Sequence, residues 1–217
     1  MVEQVLGSGE ITAAVGRERR EFADWLEELG DADWDARSLC TAWTVREVVA
    51  HLTWTTRASI PVLVRAAVRA RGSFDRMEVD LARDRAARFT PAELVGQLRE
   101  SAESSRRFPG STPMDPLMDL VIHGQDVARP LRRPREVRTE VALPSLVYVA
   151  ANRFMGGPKR VAGLELVASD AEWSSGEGPA VRGTVADLLL AVSGRPAALP
   201  HLSGPGVDVL AGRLATA

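Results

Sequence analysis

The residues of this chain best suited to chemistry are an aspartate and a histidine four positions apart in an apolar run, Asp119-Leu-Val-Ile-His123-Gly-Gln-Asp126. In a helix, residues at that spacing project from nearly the same side, so Asp119 and His123 can reach one cation. A third donor must come from elsewhere, and the chain has three histidines in all. His51, in Val48-Val-Ala-His51-Leu, lies at the edge of a second apolar helical stripe, about 60 degrees from Val48 at 3.6 residues per turn. Two histidines and one carboxylate, with a position left open for water or substrate, form a common catalytic set for zinc or another divalent metal. The same residues have a plainer reading. Leu117, Leu120, Val121, Gly124 and Ala128 share one side, and Asp115, Asp119, His123 and Asp126 fall opposite, as on a solvated face with an i,i+4 Asp–His pair. Asp126 is then either an acceptor that orients His123 or an ordinary surface carboxylate.

Other reactive side chains compete less well. Glu47 stands four residues before His51, but Thr44-Val-Arg-Glu47 is a capping box, which gives that glutamate a structural task at a helix start. Cys40 has no histidine or helix start beside it in the sequence to depress its pKa, and reads as a small, half-buried loop residue. His201, next to Pro200, reads as a turn residue. Trp25, Trp34, Trp43 and Trp54 read as packing. Arg182 and Arg195 flank a short apolar helix, where either can clamp a carboxylate or simply compensate the helix dipole.

These side chains need helices to position them. A first helix is expected from Ser8 to Leu29, with Phe22, Leu26 and Leu29 near one face, followed by a linker holding Trp34 and Cys40. A second is expected from Val45 to Arg71, with Val45, Val48, Val49, Leu52, Leu63 and Val64 inward. Phe74 to Arg88 is charged and its helical signal is weaker. Further helices are expected from Pro91 to Arg107 and, after a Phe108-Pro-Gly-Ser loop, from Pro113 to Pro130. Capping boxes at Thr44, Thr90 and Thr112, and a similar start at Thr184, mark where helices begin. The expected architecture for residues 1–131 is an antiparallel four-helix bundle. After the charged, proline-marked connector at 131–136, residues 137–217 read as a small α+β domain. It comprises a helix from Leu143 to Phe154, strands at Gly163 to Ser169, Ala171 to Ser174 and Ala180 to Arg182, glycines 176 and 178 in a hairpin or loop, and a helix from Thr184 stopped by Gly194.

Composition narrows the function classes. At 217 residues and net charge −2 the chain shows no broad electropositive surface, which argues against nucleic acid as a partner. Lys159 is its only lysine. One cysteine rules out an internal disulfide and points to a reducing cytoplasm. The first residues lack the pattern of a signal peptide, and no window has the roughly 18 uncharged apolar residues of a membrane span.

Two phrases, Ser38-Leu-Cys-Thr-Ala-Trp43-Thr-Val-Arg-Glu-Val-Val-Ala-His51-Leu and Asp119-Leu-Val-Ile-His123-Gly-Gln-Asp126-Val-Ala-Arg, resemble the actinobacterial mycothiol-dependent maleylpyruvate isomerase family, whose bundle is of the DinB-like metal-binding kind. The stretch from Gly178 to Arg195 resembles that family's C-terminal domain, similar in fold to sterol carrier proteins. The resemblance implies a divalent metal, zinc in the isomerase, held by His51, Asp119 and His123, with mycothiol as thiol cosubstrate and a small electrophile as substrate. The isomerase has glutamate where this chain has Asp119, so the carboxylate here is one methylene shorter. By its Ser-Gly-Arg context, Arg195 matches an arginine that assists catalysis in the isomerase. An isomerase or S-transferase is implied, as a monomer or homodimer; a metal-dependent hydrolase and a non-catalytic ligand-binding bundle are the alternatives.

Overall fold

The computed structural model describes residues 7–57 and 59–215. The reading of residues 1–6 as lacking a signal sequence, and position 58 of the expected second helix, lie outside the described residues. The chain divides into two compact units that meet between Arg135 and Glu136.

In the first unit, α1 (Ser8–Glu27) is followed by a single short turn of helix, α2 (Asp31–Trp34). Next come α3 (Val45–Trp54), α4 (Ile60–Arg69), α5 (Phe74–Ala86), α6 (Pro91–Glu100) with a 3₁₀ turn at Ser101–Glu103, and α7 (Met114–Ala128). Helices α1, α3, α6 and α7 pack on one another as a four-helix bundle, with α5 laid against α3 and α4 against α5. The buried side chains Phe22, Leu26, Leu94, Leu98, Leu117 and Leu120 form its centre. Two of the threonine starts are complete capping boxes: Thr44 accepts from Glu47 N and Thr90 from Glu93 N, while each glutamate reaches back to the cap. Such caps contribute about 1 kcal/mol each. At α7 Asp115 accepts from both the N–H and the hydroxyl of Thr112, just ahead of the helix.

Two helices of this unit depart from the sequence reading. The long helix expected from Val45 to Arg71 is two helices, because Pro61 has no N–H for an interior bond and is accommodated in the first turn of α4, just after the extended cap Ser59. That break turns Val64 outward, 58% exposed, while Leu63 stays buried. The helix expected to reach Arg107 ends at Glu100, where the backbone tightens into the 3₁₀ turn.

One buried ion pair ties the end of this unit to its start. Arg135 meets Glu18 of α1 at 2.8 Å, and its guanidinium lies over Phe22, 4.9 Å from the ring centre. A Cβ on Gly124 would stand 2.7 Å from that guanidinium, so the glycine leaves it room.

The second unit contains α8 (Thr139–Ala151), α9 (Gly157–Val161), strands β1 (Glu165–Ala168), β2 (Ser174–Ser175) and β3 (Ala180–Gly183), α10 (Val185–Val192), a 3₁₀ segment at Pro196–His201, and α11 (Val207–Ala215). Helix α8 starts four residues before the expected Leu143 and contains Pro144. The sheet order is β2-β1-β3, with β2 antiparallel and β3 parallel to β1. The second strand, expected over Ala171 to Ser174, is shorter and falls at Ser174–Ser175. Between β2 and β3 the chain crosses the start of β1. Gly176 and Gly178, both at positive φ, pass so close that a Cβ would come within 2.2 Å of the Leu164 carbonyl and 2.3 Å of the Gly163 carbonyl. Thr184 caps α10 by accepting from Asp187 N. Gly194 at φ 96 ends it.

Candidate metal centre

His51 and His123 face each other inside the bundle. Helix α3 points its apolar stripe inward, with Val45, Val48, Val49 and Leu52 buried, and this carries His51 in with it at 3% exposure. Helix α7 is buried on almost every side from Leu117 to Ala128, so His123 and Asp126 lie in the interior and not on a solvated face. The plainer reading of α7 is corrected accordingly. The two imidazoles stand edge to face, with ring centres 5.0 Å apart. Asp119, half-buried one turn before His123, completes a group whose donor atoms all lie within 4.8 Å of one another: His51, Asp119 and His123.

The surroundings split the two histidines. Burial, reinforced by the nearby His123, holds His51 well below the usual histidine pKa, so it is neutral at physiological pH. For His123 burial pulls the same way, but the Cys40 sulfur and the Asp126 carboxylate override it and carry the pKa up. The His123 Nδ1 proton is donated to Asp126 Oδ2 at 2.9 Å, a fully buried acceptor. This carboxylate–imidazole arrangement fixes the ring and leaves Nε2 as the atom for a ligand.

Cys40 belongs to this cluster, contrary to the sequence reading. Its Sγ donates to Asp126 Oδ2 at 3.1 Å and lies 3.7 Å from His123 Nδ1. No local signal marks this; it follows from the loop before α3. There Leu39 N bonds to the Asp126 carbonyl at 2.9 Å, Ser38 Oγ donates to the Trp43 carbonyl and Trp43 N bonds to the Cys40 carbonyl, folding the loop onto α7. Cys40, His123 and Asp126 form a second donor group that shares His123.

Three further residues were missed. Trp43 packs on both imidazoles, at 4.8 and 5.8 Å between ring centres, and its buried N–H has no partner among the described residues. Trp54 donates its N–H to His51 Nδ1 at 3.2 Å. For Trp54 the signal was present in outline, since an aromatic three residues from a histidine in a helix shares its face. Glu78 on α5 feels both Asp119 and His123, and burial first, then Asp119, pushes its pKa up to about 8. It has no sequence signature, being brought to the cluster by the packing of α5 on α3.

Two imidazoles and a carboxylate suit a borderline divalent ion such as zinc. His123 keeps its Nδ1 proton on Asp126 and has to release the Nε2 proton that its raised pKa retains without a metal. His51 needs a different adjustment: an indole only donates, so Nδ1 now offers its lone pair to Trp54 and the ring proton sits on Nε2. Ligation through Nε2 therefore requires the proton to move to Nδ1 and the indole to release it. Glu47 is engaged with its own cap and takes no part. Arg195 lies in the second unit after α10, where its guanidinium donates to the Ser193 carbonyl. Arg182 on β3 and His201 in the 3₁₀ segment are exposed.

Comparison with known proteins agrees with this architecture. The crystal structure of the mycothiol-dependent maleylpyruvate isomerase superposes with a TM-score of 0.59 at 15% identity, covering 92% of this chain and 93% of that chain. A crystal structure of a histidine-to-alanine mutant of the mycothiol-dependent isomerase gives 0.61 at 14% identity over the same shares. At such identities the likeness is one of fold, here a DinB-like bundle followed by a small α+β unit. No curated protein matches the chain. The family model of the mycothiol maleylpyruvate isomerase N-terminal domain matches residues 15–128, which span the bundle and every residue of the histidine cluster. By that match the chain belongs to the mycothiol maleylpyruvate isomerase N-terminal domain family.

Proposed function

We propose that the chain is a divalent-metal-dependent enzyme that uses a low-molecular-weight thiol, mycothiol, to attack a small electrophile, as an isomerase or S-transferase. The observation that carries this reading is the convergence of His51, Asp119 and His123 within 4.8 Å in the interior of a bundle of this family. Their donor chemistry favours zinc. A bound divalent ion there would supply positive charge that stabilises a thiolate at neutral pH.

The protein's own groups have distinct tasks in this reading. Asp126 orients His123 and takes up the Nδ1 proton's charge. Trp43 and Trp54 wall the histidines from water, and the free N–H of Trp43 is a donor for a reacting oxygen or sulfur atom. Glu78, with a pKa near neutrality, is suited to hold or release a proton beside Asp119. On a cis-configured electrophile, thiolate addition to the double bond leaves a single bond that rotates; loss of the thiolate then restores the double bond in the trans form. Arg195 is assigned the binding of a substrate carboxylate, a role supported only by its Ser-Gly-Arg context.

The test is metal analysis of purified protein with turnover of maleylpyruvate, and of a general electrophile, with and without mycothiol. One equivalent of divalent metal, lost in His51→Ala and His123→Ala, together with thiol-dependent turnover is expected. Turnover that needs the metal but not the thiol would refute the thiol part, and cleavage products carrying the elements of water would make the protein a hydrolase. Wild-type protein that takes up no metal would refute the whole reading.

A further inference from the structure

Trp54, which bonds His51, also lines a cavity of about 330 Å³ formed by α4, α5 and the residues that follow α3 and α5. Five arginines line it, Arg57, Arg65, Arg69, Arg85 and Arg88, against two aspartates, although the chain as a whole has a net charge of −2. Both aspartates are taken by Arg69, which meets Asp80 at 3.3 Å and Asp84 at 3.0 Å. Arg57 pairs with the exposed Glu100 at 2.9 Å. Arg65, Arg85 and Arg88 have no carboxylate partner among the described residues.

Arg85 is the most constrained of these. Its Nε donates to Thr53 Oγ1 at 2.7 Å, a terminal nitrogen donates to the Gln97 side-chain oxygen, and its guanidinium lies over Phe89, 4.7 Å from the ring centre. All of these partners are neutral. Burial, then Arg57 and Arg88, lowers the Arg85 pKa to about 10, and Arg57 also presses on the buried Arg19. Cations held together without a counter-charge are costly unless an anion joins them, and guanidinium groups are the side chains that grip carboxylate and phosphate oxygens two at a time. The apolar part of the same lining is Trp54 and Phe89 together with Val62, Ala66 and Leu81.

We propose that this cavity is a binding site for a small molecule with an oxyanion, carboxylate or phosphate, attached to an apolar body. Arg85, Arg57 and Arg88 hold the oxyanion, and Trp54 and Phe89 contact the body. The site goes beyond the metal reading and stands without it, so it is tested on metal-free protein.

The experiment is calorimetric titration of the full chain at low salt with phthalate, phenyl phosphate and inorganic phosphate. Saturable one-site binding of phthalate or phenyl phosphate is expected, weakening as salt is added and weakening roughly tenfold or more in Arg85→Gln. Arg85 also braces α5 through Thr53 and Gln97, so Arg88→Gln provides a variant that keeps the fold. The Arg88 side chain is exposed and makes no hydrogen bond among the described residues. That variant should melt like the wild type and bind about threefold more weakly, on the scale of an exposed charge. Binding of phthalate alone identifies a carboxylate ligand, and binding of phenyl phosphate alone a phosphate ester. The proposal is overturned if none of the three binds saturably at millimolar concentration, if inorganic phosphate binds as tightly as the aromatic probes, or if both variants bind like the wild type.

Discussion

Glu78 offers the sharpest quantitative test of the electrostatics around the histidines. Its carboxyl has a pKa of about 8 in the folded protein against an ordinary 4.5, raised first by burial and then by Asp119, with His123 opposing. A folded pKa above the unfolded one means that the folded protein holds the proton more tightly. The associated stability is fully present below pH 4.5 and is lost as pH rises through 8. At about 1.4 kcal/mol per pH unit, a completely sealed group would lose roughly 4–5 kcal/mol over that window. Glu78 is only half-buried, and solvent screening brings the expected loss to ~2 kcal/mol. Glu78→Gln carries no charge at any pH. Urea unfolding of metal-free wild type and variant from pH 4.5 to 8.5 should therefore show the variant gaining ~2 kcal/mol on the wild type across the window, then levelling off. Saturating zinc should shrink that gain, because a cation beside Asp119 favours the ionised carboxylate. A difference that does not change with pH would refute the placement of Glu78 in the desolvated cluster, and with it the proton-holding role assigned above.

Three further outcomes follow from the same geometry. Trp54→Phe removes the donor that occupies His51 Nδ1 and keeps the aromatic packing, so zinc affinity measured by competition with a chelator should rise by roughly the strength of one neutral hydrogen bond, about 1 kcal/mol or fivefold. Asp126→Asn removes the acceptor that orients His123 and should weaken zinc binding about 10–100-fold, while thermal melting shows the bundle still folded. Gly124→Ala places a methyl group 2.7 Å from the Arg135 guanidinium, which is locked against Glu18 and Phe22; separating that buried pair should cost about 3–5 kcal/mol, read as a lower melting temperature.

What the sequence disclosed of the centre was what lies within one helical turn. The Asp119–His123 spacing and the inward stripe of α3 are local patterns, and both survive in the structure because each helix forms where its threonine or proline start marks it. Cys40 and Glu78 were not legible, since neither belongs to a helical pattern shared with a histidine. One arrives through a loop folded back on the Asp126 carbonyl, the other through the packing of α5 on α3. The burial of His123 and Asp126 was likewise invisible, because a polar stripe on an isolated helix looks the same whether water or another helix covers it. The break after Trp54 was signalled by Ser59 and Pro61, but the apolar periodicity of the residues beyond it was read as continuing α3. The second unit shows the same limit. Glycines 176 and 178 announce a turn, yet which strand they cross depends on a pairing that only the folded sheet reveals.

Trp54 ends up with two duties that a single ring cannot perform independently. Its lone N–H is committed to His51, and the same residue lines the arginine-rich cavity. An occupant that shifts the indole alters how readily His51 gives up its lone pair, and an ion that displaces the N–H alters the wall the occupant rests on. Thermodynamic reciprocity then requires each to change the other's affinity by the same factor. For this protein, an affinity for metal measured with the cavity empty and one measured with it filled would be two different constants, and their ratio would report the coupling carried by one side chain.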